Sequence, residues 1–145
     1  MTNYETQSLT MPDIRELASN LPQDYELLAK SRIQGRLKNK FPDTKIWIPL
    51  CLDGGPNTQY FRFVGSAHFN EERAREGLQQ MIERDNFSPV GPLHHTIATG
   101  TVRDLHYLTD GIIAEGHPLY VTHQHHDILD ALANEVLTLS GHRNN

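Results

Sequence analysis

A chain of 145 residues with a net charge of −5 is long enough to fold as one domain, and its negative charge argues against general affinity for nucleic acid. The single cysteine, Cys51, excludes an internal disulfide and a zinc site built from several cysteines, and a lone cysteine is most often a small core residue. No apolar run reaches the roughly 18 residues of a membrane-spanning helix, and the polar start lacks the pattern of a signal peptide. We therefore expect a cytoplasmic protein without membrane contacts.

The first forty residues predict a flexible arm and two helices. Residues 1–9 are expected to form the arm, ahead of a single globular domain over residues 10–145. Thr10 and Asp13 have the spacing of a capping box, which marks the start of a helix. Apolar residues at steps of three and four then predict a second helix over 23–40.

The second helix carries a basic segment that contains five cations and no acid: Lys30, Arg32, Arg36, Lys38 and Lys40. Such a segment is typical of a solvated helix face or of a nucleic-acid groove. The first interpretation is favoured because no aromatic residue lies among the cations. We expect the cations to be exposed, with Leu28, Ile33 and Leu37 buried beneath them.

The centre of the chain predicts a β-hairpin followed by a helix. Two β-rich segments within residues 44–65 flank the turn sequence "DGGPN", which is the pattern of an antiparallel hairpin. Asn70 then has the position of an N-cap before a third helix.

The last third of the chain alternates strand and helix patterns. Strands are expected over 93–99 and 118–122, and helices over 101–113 and 123–139. Because this alternation favours right-handed crossovers, we predict that the two strands pair in parallel. The predicted fold class is therefore α/β or α+β, with a mixed sheet in which an antiparallel hairpin joins parallel strands beneath covering helices.

Histidines cluster where the last predicted strand runs into the last helix. His123, His125 and His126 follow that strand, and Thr122 is expected to cap the helix. The free N–H groups and the dipole of a helix start favour an anion, and neutral imidazoles there can contact a ligand or bind a divalent metal. A polar helix start with solvated histidines is the competing interpretation.

A second candidate site lies on the strand expected over 93–99. His94 and Thr96 should share one face of this strand, with His95 on the other. A His-x-Thr pair on a strand is similar to half of the two-histidine phosphoesterase pattern, in which imidazoles act as base and acid and hydroxyls hold the phosphate. The chain has no second His-x-Thr or His-x-Ser. The alternative is that one histidine packs under a helix while the other is exposed.

Two hypotheses for function follow. In the first, the protein binds a small anionic ligand, phosphorylated or nucleotide-like, with or without a divalent metal, and an enzyme at this site would hydrolyse a phosphoester. Its catalytic candidates are His94, Thr96 and His125, and its ligand-binding candidates are Thr101, Thr122, His123 and His126. In the second, the chain is a non-catalytic interaction, sequestering or assembly protein that acts by self-association or through a protein partner. The sequence leaves open whether the chain is an enzyme.

Overall fold

The computed structural model describes residues 9–53, 61–63, 65–87, 93–107, 111–119 and 124–142. In chain order the elements are α1 (Met11–Leu17), α2 (Glu26–Lys40), β1 (Lys45–Asp53), β2 (Phe61–Phe63), α3 (Glu71–Phe87), β3 (Leu93–Thr101), α4 (Val102–Tyr107), β4 (Ile113–Ala114), β5 (His117–Pro118) and α5 (His125–Leu139). Helices and strands thus occur together in the described part of the chain, as the sequence predicts. The arm predicted for residues 1–9 lies, apart from Leu9, outside the described residues.

The described strands form one sheet in the order β2-β1-β3-β4-β5, and every neighbouring pair is antiparallel. The hairpin predicted within 44–65 is confirmed by the pairing of β1 with β2. The centre of the sheet is the long ladder between β1 and β3, which runs from Lys45 opposite Thr101 to Asp53 opposite Leu93.

The parallel pairing predicted for the strands at 93–99 and 118–122 is wrong, because β4 lies between β3 and β5 and pairs antiparallel with both. The cause is a tight turn in place of a helical crossover. Glu115 and Gly116, at the tip of the β4–β5 hairpin, have φ values of 51° and 82°. Positive φ at both central residues is what a two-residue hairpin turn requires.

The boundaries of the last elements also differ from those predicted. Helix α4 ends at Tyr107, and Ile113, predicted to be helical, belongs to β4. Strand β5 stops at Pro118, and residues 120–123 lie outside the described part. Helix α5 begins at His125 rather than at His123, with Gln124 at its N-cap position.

The main core lies on one face of the sheet. Alternate residues of β1 point to this face, and Ile46, Ile48, Leu50 and Leu52 are each at most 2% exposed. The residues buried with β1 come from the helices, including Ile33 and Leu37 of α2 and Ile128, Leu132 and Val136 of α5. Burial of these side chains provides the main driving force for folding.

Helix α3 packs along β1 and β3. Gly77, on α3, lies against Pro49 of β1, whose side chain alternates in direction with the core residues Ile48 and Leu50. At the start of α3, Asn70 Oδ1 accepts a hydrogen bond from the Arg73 amide at 3.2 Å, which confirms the predicted N-cap. The capping box of α1 is confirmed too, since Thr10 and Asp13 bond each other's backbone N–H.

The basic segment is only partly the solvated face that the sequence predicts. The Lys30 side chain is 11% exposed and its Nζ lies 2.9 Å from Asp130 Oδ1. Arg36 donates to the carbonyl oxygens of Leu17 and Ser19 at 2.9 and 2.7 Å, and so ties α2 to the end of α1. Leu28 is 46% exposed rather than buried. No helix in the described part of the chain combines the length and the apolar character needed to span a bilayer.

Candidate functional site

The structure gives the two histidines of the predicted 93–99 strand different partners. His94 Nε2 lies 2.6 Å from Glu115 Oε2, at the β4–β5 turn. His95 Nε2 lies 2.7 Å from Asp85 Oδ2, in the last turn of α3. The His94 side chain is 32% exposed and the His95 side chain 14%, so one histidine packs under a helix while its neighbour meets solvent. Thr96 alternates with His95 on β3, as predicted, and is partly buried.

Of the candidates at the end of the last predicted strand, His125 and His126 fall within the first turn of α5, where their ring centroids are 4.0 Å apart. Thr122 and His123 lie outside the described residues. The N-cap position is taken by Gln124, whose side chain bonds the edge strand instead: its Oε1 accepts from Phe63 N at 2.8 Å, and its Nε2 donates to Phe61 O at 3.0 Å.

The surroundings of these residues are acidic. A cavity of about 290 Å³ beside the first turns of α5 is lined by Phe63, Gly65, Asp127, Asp130, Ala131 and Asn134. Thr101 forms a capping pair with Asp104, three residues on, since its N and Oγ1 donate to Asp104 Oδ2 at 2.8 and 3.0 Å. A carboxylate therefore already occupies the place proposed for a phosphate beside Thr101.

A different set of side chains brings metal-binding atoms together. One ligand atom each from Cys51, Asp85 and His95 lies within 4.8 Å of the other two. Cys51 and His95 are directly opposite each other in the β1–β3 ladder, so their side chains leave the sheet on the same face. Asp85 reaches them from the last turn of α3. We call Cys51, Asp85 and His95 the thiol cluster.

The thiol cluster fits a metal ion better than covalent catalysis. Cys51 is fully buried, so a substrate carbon cannot approach its sulfur. The side chains of Asp85 and His95 are 13% and 14% exposed, which opens the cluster to a small ion. Around a tetrahedral zinc ion, ligand atoms are about 3.3–3.7 Å apart. The contact of His95 Nε2 with Asp85 Oδ2, at 2.7 Å, is shorter than this spacing and would open when both groups bind one ion.

A second polar network lies near the other end of α3 and centres on a buried acid. The Glu135 side chain, on α5, is 5% exposed. Arg73 donates to its carboxylate through Nε at 2.6 Å and through Nη2 at 2.9 Å. His68 Nδ1 lies 2.9 Å from Glu135 Oε2, and its Nε2 lies 2.9 Å from Ser66 Oγ. We call Ser66, His68, Arg73 and Glu135 the Glu135 network.

The charges of this network are fixed by its hydrogen bonds. Burial by itself would raise the pKa of Glu135, but the hydrogen bonds from His68 and Arg73 outweigh burial and lower that pKa. The hydrogen bond to Glu135 raises the pKa of Arg73 in turn. Glu135 is thus an ionised, acceptor-only carboxylate held by two side chains of α3 and of the preceding loop.

A third histidine, His106 of α4, lies within electrostatic reach of the α5 start. Burial lowers its pKa, and the nearby charges of Lys38 and His125 act in the same direction. Its Nε2 is buried without a hydrogen-bond partner in the described structure. The protein therefore keeps one neutral imidazole nitrogen away from water close to the predicted histidine site.

The residues of the thiol cluster left no local signal in the sequence, because they are brought together by strand register and helix length. Glu135 did leave one. It lies seven residues after Ile128 and three after Leu132, both in the apolar stripe of α5, so its place in this stripe is the signal that could have indicated its burial.

Comparison of this chain with protein-family models, with curated proteins and with solved structures gave no match. The case for a function therefore depends on the geometry of the chain itself.

Proposed function

We propose that the protein binds a divalent transition metal, with Cys51, Asp85 and His95 as its protein ligands. The observation that carries this proposal is the convergence of a thiol, a carboxylate and an imidazole within 4.8 Å of one another. Their sequence positions are far apart, so neighbouring sequence does not account for the contact. The sequence led us to expect a divalent metal at the start of α5, and we now propose it between β1, β3 and α3.

The donor set favours zinc. Mg²⁺ and Ca²⁺ prefer oxygen ligands, whereas a thiolate together with an imidazole suits Zn²⁺. Three protein ligands leave one coordination position open, which is the arrangement of catalytic rather than structural zinc sites. An anionic ligand of the kind expected from the sequence would bind at that position, and hydrolysis of a phosphoester is the reaction that a divalent metal there would support.

The test is metal content. The untagged protein is expressed in zinc-supplemented defined medium, and metals are measured by inductively coupled plasma mass spectrometry. We expect about one zinc per chain, and a large loss in Cys51→Ser, Asp85→Asn and His95→Gln. His94→Gln is the matched control, because His94 is adjacent on the same strand but pairs with Glu115.

Cobalt substitution tests the sulfur ligand separately. Co²⁺ bound by the protein should show a thiolate-to-metal charge-transfer band that Cys51→Ser abolishes and His94→Gln preserves. Zinc content unchanged in Cys51→Ser would contradict the proposal, as would a folded protein that binds no zinc under these conditions.

The anion site at the start of α5 is the second candidate function, and the unpartnered Nε2 of His106 near His125 favours it. Its weakness is Asp127 in the same helical turn, which repels an anion. Titration with inorganic phosphate, followed by calorimetry, tests it. Replacing His125 with Ala should weaken binding and leave the melting temperature unchanged, and equal binding by both proteins would contradict the candidate.

The non-catalytic alternative is favoured by exposed apolar residues at the start of α2. Tyr25, Leu27 and Leu28 are 70%, 80% and 46% exposed. Three large apolar side chains exposed within four residues make this segment a candidate for a protein contact. Sedimentation velocity of the wild type and of Leu27→Glu tests self-association, since only a contact through this surface would be lost in the variant.

A further inference from the structure

The Glu135 network contains the connectivity of an activated nucleophile. Ser66 Oγ lies 2.9 Å from His68 Nε2, and Nδ1 on the opposite side of the same ring lies 2.9 Å from Glu135 Oε2. A hydroxyl, an imidazole and a carboxylate joined in this order form the arrangement that activates serine in hydrolases. We propose that Ser66 is a nucleophile that accepts acyl groups from small activated esters, with His68 as general base and Glu135 as its orienting acid.

The direction of each hydrogen bond follows from the ionised state of Glu135. A carboxylate only accepts hydrogen bonds, so His68 Nδ1 must carry the proton in their 2.9 Å contact. In the neutral imidazole, Nε2 then carries the lone pair. The Ser66 hydroxyl therefore donates to Nε2, which is the direction in which a base removes the hydroxyl proton.

Arg73 maintains this tautomer. Its two hydrogen bonds, at 2.6 and 2.9 Å, hold Glu135 ionised and fix the orientation of the carboxylate. A protonated Glu135 would donate to His68 and reverse both hydrogen bonds. Among the described contacts, the Arg73 side chain donates to Glu135 and to neither Ser66 nor His68, so Arg73 is a positioning residue.

A glycine leaves space beside the reacting atoms. A Cβ added at Gly77 would lie 3.0 Å from Ser66 Oγ and 3.4 Å from His68 Nε2. A side chain at this position of α3 would crowd Ser66 Oγ and touch His68 Nε2, and glycine lets the helix pass close to both atoms without this crowding. Ser66 is itself partly exposed, which is the access that a small ester requires.

The reaction conserves atoms and charge. Ser66 Oγ forms a bond to the carbonyl carbon while His68 Nε2 takes the hydroxyl proton. The resulting tetrahedral adduct collapses with cleavage of the ester C–O bond, and the leaving alkoxide receives that proton as an alcohol. Water then attacks the acyl-serine while His68 Nε2 takes one of its protons, and this proton passes to Ser66 Oγ as the acyl C–O bond breaks and the carboxylic acid leaves.

The experiment uses an alkyl fluorophosphonate, which phosphonylates activated serines with loss of fluoride. The full-length protein is labelled in the presence of EDTA, so that the result does not depend on the proposed metal site. Peptide mass spectrometry then locates the modified residue. We expect modification of Ser66, loss of modification in Ser66→Ala, and a labelling rate about 100-fold lower in His68→Gln, because a general base contributes that order of acceleration.

The chain supplies its own matched control. Ser140 Oγ lies 2.8 Å from His142 Nδ1, with the same two-residue spacing as Ser66 and His68. Here the contact uses the other ring nitrogen, and the described structure gives His142 no carboxylate partner. Ser140 should not be labelled, and Ser140→Ala should leave the rate at Ser66 unchanged.

Three results would overturn the proposal. They are no modification of Ser66 under conditions that label a known serine hydrolase, equal modification of Ser66 and Ser140, and an unchanged rate at Ser66 in His68→Gln. Circular dichroism of each variant ensures that a lost signal is assigned to lost chemistry only when the protein is folded. If His68→Gln does not fold, Gly77→Ala provides the second variant, since its Cβ should slow labelling by crowding both reacting atoms.

Discussion

Removal of Arg73 should destabilise the protein more than removal of its partner Glu135. The two groups differ in their access to water: the Arg73 side chain is 38% exposed and the Glu135 side chain 5%. Arg73→Met leaves a buried carboxylate with His68 as its remaining hydrogen-bond donor in the network. Glu135→Met leaves a guanidinium that can turn toward solvent.

The expected magnitudes follow from these exposures. An uncompensated buried charge costs about 3–5 kcal/mol, and we expect Arg73→Met to fall near the lower end because His68 still donates to Glu135. In Glu135→Met the buried charge is gone, and the cost is the lost partner of His68 Nδ1, about 1–2 kcal/mol. The difference between the two variants should therefore be at least about 1 kcal/mol.

Urea unfolding at neutral pH, followed by circular dichroism, measures both free energies. Arg75→Met is the control, because Arg75 is 69% exposed and pairs with Glu71 on the surface of the same helix. Its effect should stay within about 0.5 kcal/mol. A loss in Glu135→Met equal to or larger than that in Arg73→Met would refute the reasoning that exposure decides the cost.

Three further predictions concern pH, packing and the basic segment. Because the pKa of Glu135 is lowered in the folded state, its stabilising contribution is complete above the unfolded value of about 4.3 and is lost as pH falls through the folded value. The difference in unfolding free energy between wild type and Glu135→Met should shrink over that acidic range, and a constant difference would contradict it. Gly111→Ala should destabilise by about 1–3 kcal/mol because its Cβ would overlap the Asp104 carboxylate. Gly35→Ala should instead stabilise α2 by about 0.5–1 kcal/mol, because a Cβ at residue 35 would meet open space. Thermal unfolding of the two variants compares these effects. Arg36→Glu should lower the free energy of unfolding by about 1–3 kcal/mol, because it removes two hydrogen bonds to backbone carbonyls. Arg32→Glu should change the midpoint of urea unfolding little, because Arg32 Nη1 lies 3.5 Å from its one carbonyl partner, Asn20 O.

Elements governed by neighbouring residues were predictable from the sequence. The capping box of Thr10 and Asp13, the N-cap Asn70 and the capping pair of Thr101 and Asp104 all form as their spacing indicates. Each depends on contacts between residues three apart, which backbone geometry nearly fixes. The hairpin within 44–65 belongs to the same class, since a turn sequence between two β-rich segments is a local signal.

The order and the pairing direction of the strands did not follow from the sequence pattern. A strand–helix–strand pattern predicted parallel pairing, but α4 is short, and the Glu115–Gly116 turn returns the chain as β5 beside β4. The position of β3 next to β1 followed from pairing of residues that are 40 to 56 positions apart along the chain. Periodicity identifies which face of a strand is apolar and carries no information on which strand lies beside it.

The sequence by itself determined the capped starts of α1 and α3 and the hairpin within 44–65. Tertiary structure alone decided which chemical groups meet. Cys51 lies opposite His95 because of the register between β1 and β3. Glu135 meets His68 because α5 packs beside the loop before α3. Local contacts depend on backbone spacing that is the same in every chain, whereas these contacts depend on how the apolar faces of separate elements are buried together, which is a property of the whole fold.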